Sequence, residues 1–265
     1  MAELPTFIVA LHPLNTNGLV NAREFEADLC QLAPHPQRRL EQKISRRLRR
    51  QLLADYLGLA AEHLVFIKNE HGKPSLKQSN LPDPMSVEFS QSHCVNQFAL
   101  VMNKRGIPVG IDIEAKDRVI PMQALAQRIL TLDEWVQFKQ ALDAHDFLLM
   151  RWTIKEAVLK ASGLGIRLNL NELESIPLLV QSPIHENVIN QNALNQTRLD
   201  ENILNHIGLT EGIDDECKRQ ILREAGQVHH TRIGSWHYRS FETPTHYYTI
   251  AWQTSSKQPV QVLQM

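Results

Sequence analysis

Two carboxylates stand two residues apart in the apolar run 109–118, whose sequence is VGIDIEAKDR. Side chains alternate across a strand, so Asp112 and Glu114 share one face with Gly110, and the two isoleucines of the run share the other. Like charges on one face repel each other, and a hard cation such as Mg²⁺ would relieve that repulsion. A sheet with one solvated face explains the same pattern without a metal, so these residues alone leave both interpretations open.

A second group of charged residues follows about forty residues later, in the segment RWTIKEAVLKASG. Glu156 and Lys160 are four residues apart and would share a helix face, where an exposed ion pair contributes only about 0.3–0.5 kcal/mol. The segment is otherwise largely apolar, which also fits a third carboxylate that completes a site begun by Asp112 and Glu114. Mg²⁺ usually takes one or two carboxylates plus waters and substrate phosphates, so three acids would indicate a phosphate-bearing ligand.

Basic residues are concentrated between Arg38 and Arg50, where seven lysines or arginines accompany one acid. A solvated helix face explains such a run, but an anionic ligand would also relieve the mutual repulsion of these charges. Two shorter segments offer further groups for an anion, namely the lysine-containing turn HGKP (71–74) and the pair Ser92 and His93 at a strand bend. A Ser–His pair also suggests a hydrolase, yet adjacent residues rarely orient each other for that chemistry.

The composition is that of a globular protein, with 265 residues, 43% hydrophobic and 22% charged, and a formal net charge of −1. That balance disfavours binding to nucleic acid or to an anionic membrane. The three cysteines are widely spaced and form no C-x-x-C, which argues against a disulfide framework or a zinc site and suits a reducing cytosol. We find neither a signal-peptide pattern nor a run long enough to span a membrane, so we expect a soluble cytoplasmic protein.

Hydrophobic periodicity predicts the elements that would carry these groups. An apolar i, i+4 stripe predicts a helix over 38–58, and a second strong helix is expected over 144–165. The segment 121–142 is expected to be helical with a break near Thr131, where the spacing to Glu134 could form a capping box. Short apolar runs predict strands within 6–14, 64–76, 86–103, 106–114 and 235–253.

The stretch 176–232 differs from the rest of the chain, because it is polar, rich in Asn and Gln and only weakly periodic. We interpret it as a polar insertion. The order of the remaining strands and helices favours an α+β fold over a parallel βαβ array. Neither G-x-G-x-x-G nor a Walker A motif is present, so a dinucleotide fold or a P-loop is not expected.

Taken together, these segments resemble the 4′-phosphopantetheinyl transferase superfamily, and within it the larger, pseudodimeric Sfp-like group. The resemblance covers about residues 5–175 and a last strand near 246–252, and it does not account for 176–232. Cys94 departs from the family pattern, since a small hydroxyl residue often follows the histidine. The matching segments occur in the family's order: the basic SRRLRRQLLADYLG (45–58), GKP (72–74), FSQSH (89–93), GIDIE (110–114) and RWTIKEAVLKASGLGI (151–166).

The resemblance implies two similar α+β halves, residues 1–105 and 106–265, related by a pseudo-twofold axis, with the active site in the cleft between them. The implied reaction moves the 4′-phosphopantetheine arm of coenzyme A to a serine of an apo acyl- or peptidyl-carrier protein and releases adenosine 3′,5′-bisphosphate. Fatty acid, polyketide and nonribosomal peptide biosynthesis all use such carriers. A chain that holds both halves of the site need not dimerise, so we expect a monomer.

The resemblance also assigns roles to individual residues. Asp112, Glu114 and Glu156 would hold Mg²⁺. Lys160 would neutralise charge on the pyrophosphate, assisted by Lys155. Either Glu156 or Glu134 would accept the proton of the carrier serine. The remaining residues would contact coenzyme A, and they come from the basic helix, the turn and the strand bend: Arg46, Arg50, Gly72, Lys73, Pro74, Ser92 and His93.

Two other functions remain compatible with the sequence. The protein could be a binding module that captures an acidic partner on the basic helix, with the acids merely solvated. It could also be a different magnesium-dependent phosphotransferase that acts on a nucleotide. Magnesium-dependent turnover of coenzyme A would separate the implied transferase from both.

Overall fold

The computed structural model describes residues 6–14, 25–83, 85–165, 167–180, 221–253 and 261–264. The strands in these ranges are β1 (Thr6–Pro13), β2 (Phe66–Lys68), β3 (Pro74–Leu76), β4 (Glu88–Cys94), β5 (Gln97–Asn103), β6 (Val109–Ala115), β7 (Glu174–Val180), β8 (Ile221–His230), β9 (Gly234–Glu242), β10 (His246–Trp252) and β11 (Gln261–Gln264). The α-helices are α1 (Pro36–Leu57), α2 (Met122–Ile129), α3 (Leu132–Gln140) and α4 (Ala144–Ser162). This mixture confirms the predicted α+β class.

The strands form two main sheets and a small hairpin. The first sheet has the order β11–β1–β5–β4, and the second has the order β6–β10–β9–β8–β7. The strand pairs of both sheets are antiparallel, apart from β11, which runs parallel to β1. The short strands β2 and β3 pair with each other. β4 and β6 therefore end their respective sheets.

Each main sheet has a long helix on its outer face, and the two inner faces pack against each other. On β1, Ile8 packs with Leu53 of α1, whereas the next residue, Val9, belongs to the cluster between the sheets. Ile111 of β6 lies in that inner cluster, while Ala157 of α4 belongs to the outer cluster of the second sheet. The alternation of strand side chains thus produces the layer order helix, sheet, sheet, helix.

Local sequence signals define the ends of the long helices. α1 begins at Pro36 and ends before Gly58, whose φ of 67° is the left-handed conformation that glycine adopts without strain. The N-terminal cap of α4 is Asp143, and its C-terminal cap is Gly163 with a φ of 70°. The predicted capping box at the start of α3 is confirmed. No helix in the described ranges is both long and apolar enough to cross a membrane.

The predicted insertion at 176–232 is wrong at both ends. Residues 176–180 belong to β7, and residues 221–230 form β8, which pairs with β7 and β9 in the second sheet. Buried polar residues weakened the strand pattern of β8, and each has a polar partner in another element: Glu224 bonds to Arg151, and His230 contacts Glu172. The part of the predicted insertion at 181–220 lies outside the described residues.

Candidate functional site

Asp112 and Glu114 face helix α4 from the edge strand β6. Both are buried, with exposed fractions of 4% and 8%. The helix approaches this strand closely at Gly110, where an added Cβ would lie less than 3.0 Å from backbone atoms of Ala157 and Ala161. The glycine of the GIDIE motif therefore permits the contact that places α4 over the two acids. The alternative of a solvated face is wrong for these residues.

Asp112 forms a compact polar group with one residue from β4 and one from α4. Its Oδ1 accepts hydrogen bonds from Lys160 Nζ at 2.6 Å and from Ser92 Oγ at 2.9 Å. Lys160 Nζ also donates to Ser92 Oγ at 2.7 Å. The other carboxylate oxygen, Oδ2, is buried and has no hydrogen-bond partner. The two sheet edges and α4 therefore meet at this carboxylate, which keeps one oxygen available.

Glu114 is held by two side chains outside the predicted set. Its Oε1 accepts a hydrogen bond from Trp152 Nε1 at 2.8 Å. The same oxygen accepts a hydrogen bond from Arg118 Nη1, with which it forms an ion pair. Burial raises the pKa of Glu114, and the charge of Asp112 raises it further, while Arg118 and Trp152 lower it. Trp152 occurs in the W-x-x-K-E segment that supports the family resemblance, so that motif was the available signal. Arg118 had no such signal.

Glu156 completes the acidic group from α4. It lies one turn after Trp152 and one turn before Lys160, so the three share one helix face. Burial raises the pKa of its carboxyl, Asp112 and Glu114 raise it further, and Lys160 lowers it. Three carboxylates from a strand and a helix are thus close enough to repel each other, as the prediction for Mg²⁺ requires.

The carboxylates of Asp112, Glu114 and Glu156 are of the type that binds a hard divalent cation, although their oxygens do not all point to one position. Within the described residues, no three His, Cys, Asp or Glu side chains are arranged as a ready metal site. Lys160 and Arg118 instead neutralise Asp112 and Glu114 directly. The unpartnered Oδ2 of Asp112, together with oxygen-only donors, is what Mg²⁺ prefers. Asp112, Glu114 and Glu156 therefore fit Mg²⁺ after the two cations rearrange.

A cleft of about 230 Å³ opens beside Glu156 and Lys160. The turn before β3 forms one wall and is fixed to the end of α4, because Asn69 Nδ2 donates to Gly163 O at 3.0 Å and Lys73 Nζ donates to Ala161 O at 3.0 Å. Gly72 allows the turn, with a φ of 87°. The cleft is lined by the predicted turn HGKP (71–74) and by two charged residues of α4, Glu156 and Lys160.

Ser92 and His93 occupy neighbouring positions near the end of β4. Ser92 is buried and joins Asp112 to Lys160, so it orients these charges. The pKa of the His93 ring is lowered by partial burial and next by the charge of Lys160. Both residues therefore lie beside the cations of the cleft, and no contact in the described residues pairs them as nucleophile and base.

Two arginines of the basic helix that were predicted to bind coenzyme A, Arg46 and Arg50, instead bond to other residues of the protein. Arg50 is 4% exposed, and its guanidinium donates to both carboxylate oxygens of Asp28 and to the carbonyls of Ala61 and Leu64. Arg46 Nη1 donates to the carbonyl oxygens of Asp28 and Cys30, at 2.9 and 2.5 Å. These contacts support the turn that precedes α1, and the structure does not bring either guanidinium to the cleft.

Lys155 and Glu134 also lie apart from the cleft. Lys155 is fully buried and pairs with Glu134, which is 1% exposed. Lys155 Nζ further donates to the carbonyls of Ile129 and Leu170, and Glu134 accepts from Ser175. The predicted assisting and proton-accepting roles are therefore corrected: a helix turns by about 100° per residue, so Lys155 points away from the face that carries Glu156.

Part of the sequence of this chain is similar to known proteins. Residues 108–207 match the family model of the 4′-phosphopantetheinyl transferase superfamily. The chain is 26% identical over 133 residues to the L-aminoadipate-semialdehyde dehydrogenase-phosphopantetheinyl transferase of Mus musculus, covering 47% of this chain and 43% of that protein. It is 31% identical over 127 residues to the 4′-phosphopantetheinyl transferase psf-1 of Bacillus pumilus, covering 46% and 49%.

A third relative, the 4′-phosphopantetheinyl transferase HetI of Nostoc sp., is 29% identical over 141 residues, which are 52% of this chain and 58% of HetI. The chain thus spans about half the length of the curated relatives it matches. The matched region contains β6 and α4, which carry the three acids, Lys160 and Trp152. The resemblance seen in the sequence is confirmed for residues 108–207, which match the family model of the 4′-phosphopantetheinyl transferase superfamily.

Proposed function

We propose that this protein transfers the 4′-phosphopantetheine arm of coenzyme A to a serine of an apo acyl- or peptidyl-carrier protein. The observation that carries the proposal is the meeting of three carboxylates and Lys160 beside a cleft walled by the GKP turn. Attack of the serine on the pyrophosphate would give the holo carrier and adenosine 3′,5′-bisphosphate. Such a reaction depends mainly on positioning and on charge stabilisation, which are what this site offers.

Each residue of the site is assigned a role according to its position. Asp112, Glu114 and Glu156 would hold Mg²⁺, which when bound supplies positive charge for the pyrophosphate oxygens. Lys160 would turn from Asp112 to the same phosphates, and Lys73 already faces the cleft from the opposite wall. Ser92 orients Lys160 through its hydroxyl. These six residues account for the predicted pyrophosphate contacts without Lys155.

Glu156 is our candidate for the residue that accepts the proton of the carrier serine. It lines the cleft, and its pKa is raised by burial and by Asp112, which makes its carboxylate a better base. Glu134 is enclosed by Lys155, Ser175 and Thr131, so it does not reach the cleft as the side chains now lie. Transfer through one water molecule would satisfy the same geometry.

We also propose that the two halves, residues 1–105 and 106–265, are related by a pseudo-twofold axis. The first half contributes α1 and the first main sheet apart from β11, and the second half contributes β11, α4 and the whole second main sheet. Each main sheet has its long helix on the outer face. The site lies where the edge strands β4 and β6 meet, with Ser92 bonded to Asp112. One chain supplies both sides of the cleft, so we propose a monomer, and the widely spaced cysteines support a cytoplasmic location.

The test is direct. The protein is incubated with coenzyme A, Mg²⁺ and an apo carrier protein, and the carrier is weighed by intact mass spectrometry. We expect a gain equal to one phosphopantetheine arm, blocked by EDTA and absent when the carrier serine is replaced by alanine. Glu156→Gln should lose transfer, whereas Glu62→Gln, which makes the same change at an exposed position, should keep it.

Two outcomes would contradict the proposal. If several unrelated apo carriers gain no mass while a nucleotide is consumed, the protein is another magnesium-dependent phosphotransferase. If neither coenzyme A nor a nucleotide is turned over, but an acidic protein binds with an affinity that falls when Arg47 is replaced by glutamine, the protein is a binding module. Fatty acid, polyketide and nonribosomal peptide carriers are all suitable for the first trial.

A further inference from the structure

Arg118 contacts the acidic group at Glu114 and has no part in the mechanism described so far. It follows β6 by three residues and stands at i+4 from Glu114, to whose Oε1 its guanidinium is bonded. The same guanidinium lies 5.8 Å from the centre of the Trp152 ring. Trp152 itself donates to Glu114, so Arg118 and the indole together cover that carboxylate.

The backbone of Arg118 is fixed while its side chain faces solvent. Its N–H donates to the carbonyl of Ala115 at 3.1 Å, and its carbonyl oxygen is 2.8 Å from His145 Nε2. Its side chain is 43% exposed, compared with 11% for Glu114. A guanidinium in this position can turn outward into solvent, whereas the carboxylate of Glu114 stays buried and needs another cation in its place.

We infer that Arg118 is an internal counter-ion of Glu114 that occupies the carboxylate in the metal-free enzyme and must turn away when a divalent cation binds. Arg118 therefore sets the metal affinity of the site although it is not a metal ligand. The inference rests on the proposed function, because that function assigns Glu114 to the metal. It concerns the binding equilibrium alone and is separable from transfer.

The charges around the site support this reading. The charge of Asp112 raises the pKa values of both Glu114 and Glu156, and two cations, Lys160 and Arg118, lie against this acidic group. Lys160 is 30% exposed, bonds to Ser92 as well as Asp112 and lines the cleft. It can therefore remain in place and contact a phosphate bound in the cleft. Arg118 is absent from the cleft wall and is the more exposed of the two, so we assign the displacement by metal to it.

The chain provides a matched control in the same turn. Lys116 is also cationic and partly exposed, but it pairs with Glu242 at 3.2 Å and lies over the Tyr247 ring. Lys116→Gln therefore removes one positive charge from the same surface without freeing Glu114. Arg118→Lys keeps the charge and replaces the planar guanidinium by an ammonium, so it separates the effect of charge from that of the guanidinium shape.

The experiment measures binding of Mn²⁺ to the full chain without coenzyme A, by electron paramagnetic resonance, with Mg²⁺ as competitor. We expect Arg118→Gln to lower the Kd for Mn²⁺ by at least about two- to fivefold, because the range for fully exposed pairs is a lower bound for a pair with one buried partner. Lys116→Gln should change the Kd by less than half as much, and Arg118→Lys should stay near the wild type. The Arg118→Gln effect should shrink at high ionic strength.

Three results would overturn the inference. An unchanged or higher Kd for Arg118→Gln would show that Arg118 does not compete with metal at Glu114. Equal gains for Arg118→Gln and Lys116→Gln would reduce the effect to general surface charge. A gain that does not depend on ionic strength would exclude displacement of a screened ion pair. Thermal denaturation of each variant in EDTA verifies that the fold is kept, and the carrier assay on the wild type reports separately on the proposed function.

Discussion

The charge on Glu156 is disfavoured in the metal-free protein, because burial and then Asp112 raise its pKa. We therefore expect Glu156→Gln, measured in EDTA at about pH 8, to leave the free energy of unfolding unchanged or to increase it. The difference should disappear as the pH falls below 4.5, the pKa of an ordinary Glu, because the carboxyl is then neutral in both folded and unfolded states. Urea unfolding at a series of pH values measures it.

The sign of this effect distinguishes a functional from a structural carboxylate. A group with a raised folded pKa destabilises the fold above that pKa, so its removal should help there and not in acid. Loss of stability at pH 8 would mean that the contact with Lys160 outweighs the repulsion from Asp112 and Glu114. Glu62→Gln, at an exposed position, is the control and should change little at any pH.

The three acids of the site could be predicted from the sequence at the level of single residues. The contacts of the nearby and supporting arginines could not. The alternation of β6 and the i+4 spacing of α4 placed Asp112, Glu114 and Glu156 on facing surfaces. The partners of Arg50 could not be read, because Asp28 lies 22 residues away and nothing local couples them. Arg118 was equally invisible, since its spacing from Glu114 has meaning only once the chain turns after β6.

At the scale of elements, the contact of β6 with α4 depends on Gly110. An added Cβ would meet the helix backbone at Ala157 and Ala161, so Gly110→Ala must push α4 outward. We expect a loss of about 1–3 kcal/mol in the free energy of unfolding, the usual cost of overpacking. Urea unfolding measures it, and binding of Mn²⁺ should weaken as Glu156 moves away from Asp112.

Gly58→Ala provides the comparison for this change. Gly58 has a φ of 67° and no atom within 4 Å of the added Cβ, so its cost of about 1 kcal/mol comes from backbone conformation alone. It lies at the end of α1, away from the acids, and should leave Mn²⁺ binding unchanged. If Gly110→Ala cost no more than Gly58→Ala and kept metal affinity, the close approach of strand and helix would not matter.

The pair of Lys155 and Glu134 belongs to the packing of helices rather than to the chemistry. Removing one partner leaves a buried charge, so we expect Glu134→Gln or Lys155→Met to cost about 3–5 kcal/mol. The double variant should cost less than the sum of the two. Lys116→Gln, which breaks a partly exposed pair with Glu242, should cost at most about 1 kcal/mol.

Urea unfolding of these variants at about pH 7 measures the costs. Burial lowers the pKa of Lys155 to about 8, partly offset by Glu134, so the lysine is still mainly protonated at pH 7. A Glu134→Gln protein with normal stability and no transfer activity would restore the predicted role of Glu134 as proton acceptor. The adjacency of Lys155 and Glu156 in the motif concealed that the two side chains point to different sides of α4.

At the scale of the whole molecule, the segment 181–220 connects two strands that are already paired. β7 ends at Val180, which stands opposite Glu224 of β8, so a short connection suffices to join them. We expect a chain with a Gly/Ser linker in place of 181–220 to fold and to keep Mn²⁺ binding. Circular dichroism and the Mn²⁺ titration measure these two properties.

A longer replacement, from 184 to 230, supplies the contrasting variant. It removes all of β8 and with it Glu224, whose carboxylate accepts two hydrogen bonds from Arg151 of α4. We expect that variant to be insoluble or unfolded, because Arg151 would be left buried without its partner. Should both replacements fail, residues 181–220 contribute to the fold beyond connecting β7 and β8.

The error in the predicted insertion has a physical origin. A strand pattern depends on apolar alternation, and β8 fills two of its buried positions with Glu224 and His230, each of which has a polar partner elsewhere in the chain. Burial of a polar group needs that partner, and the partner belongs to another element. Strands with apolar inward faces, such as β5 and β10, were predicted correctly for the opposite reason.

The position of β6 in its sheet also bears on how the protein is made. β6 has one neighbour in the second sheet, β10, which pairs Val109 with Trp252 and Ala115 with His246. A ribosome therefore exposes the acids of β6 well before the strand that shelters them is synthesised. Contacts between such distant segments slow folding and leave strand edges open to aggregation in the interval. Incomplete chains that stop before β10 should consequently depend on chaperones, although they already contain every acid of the site.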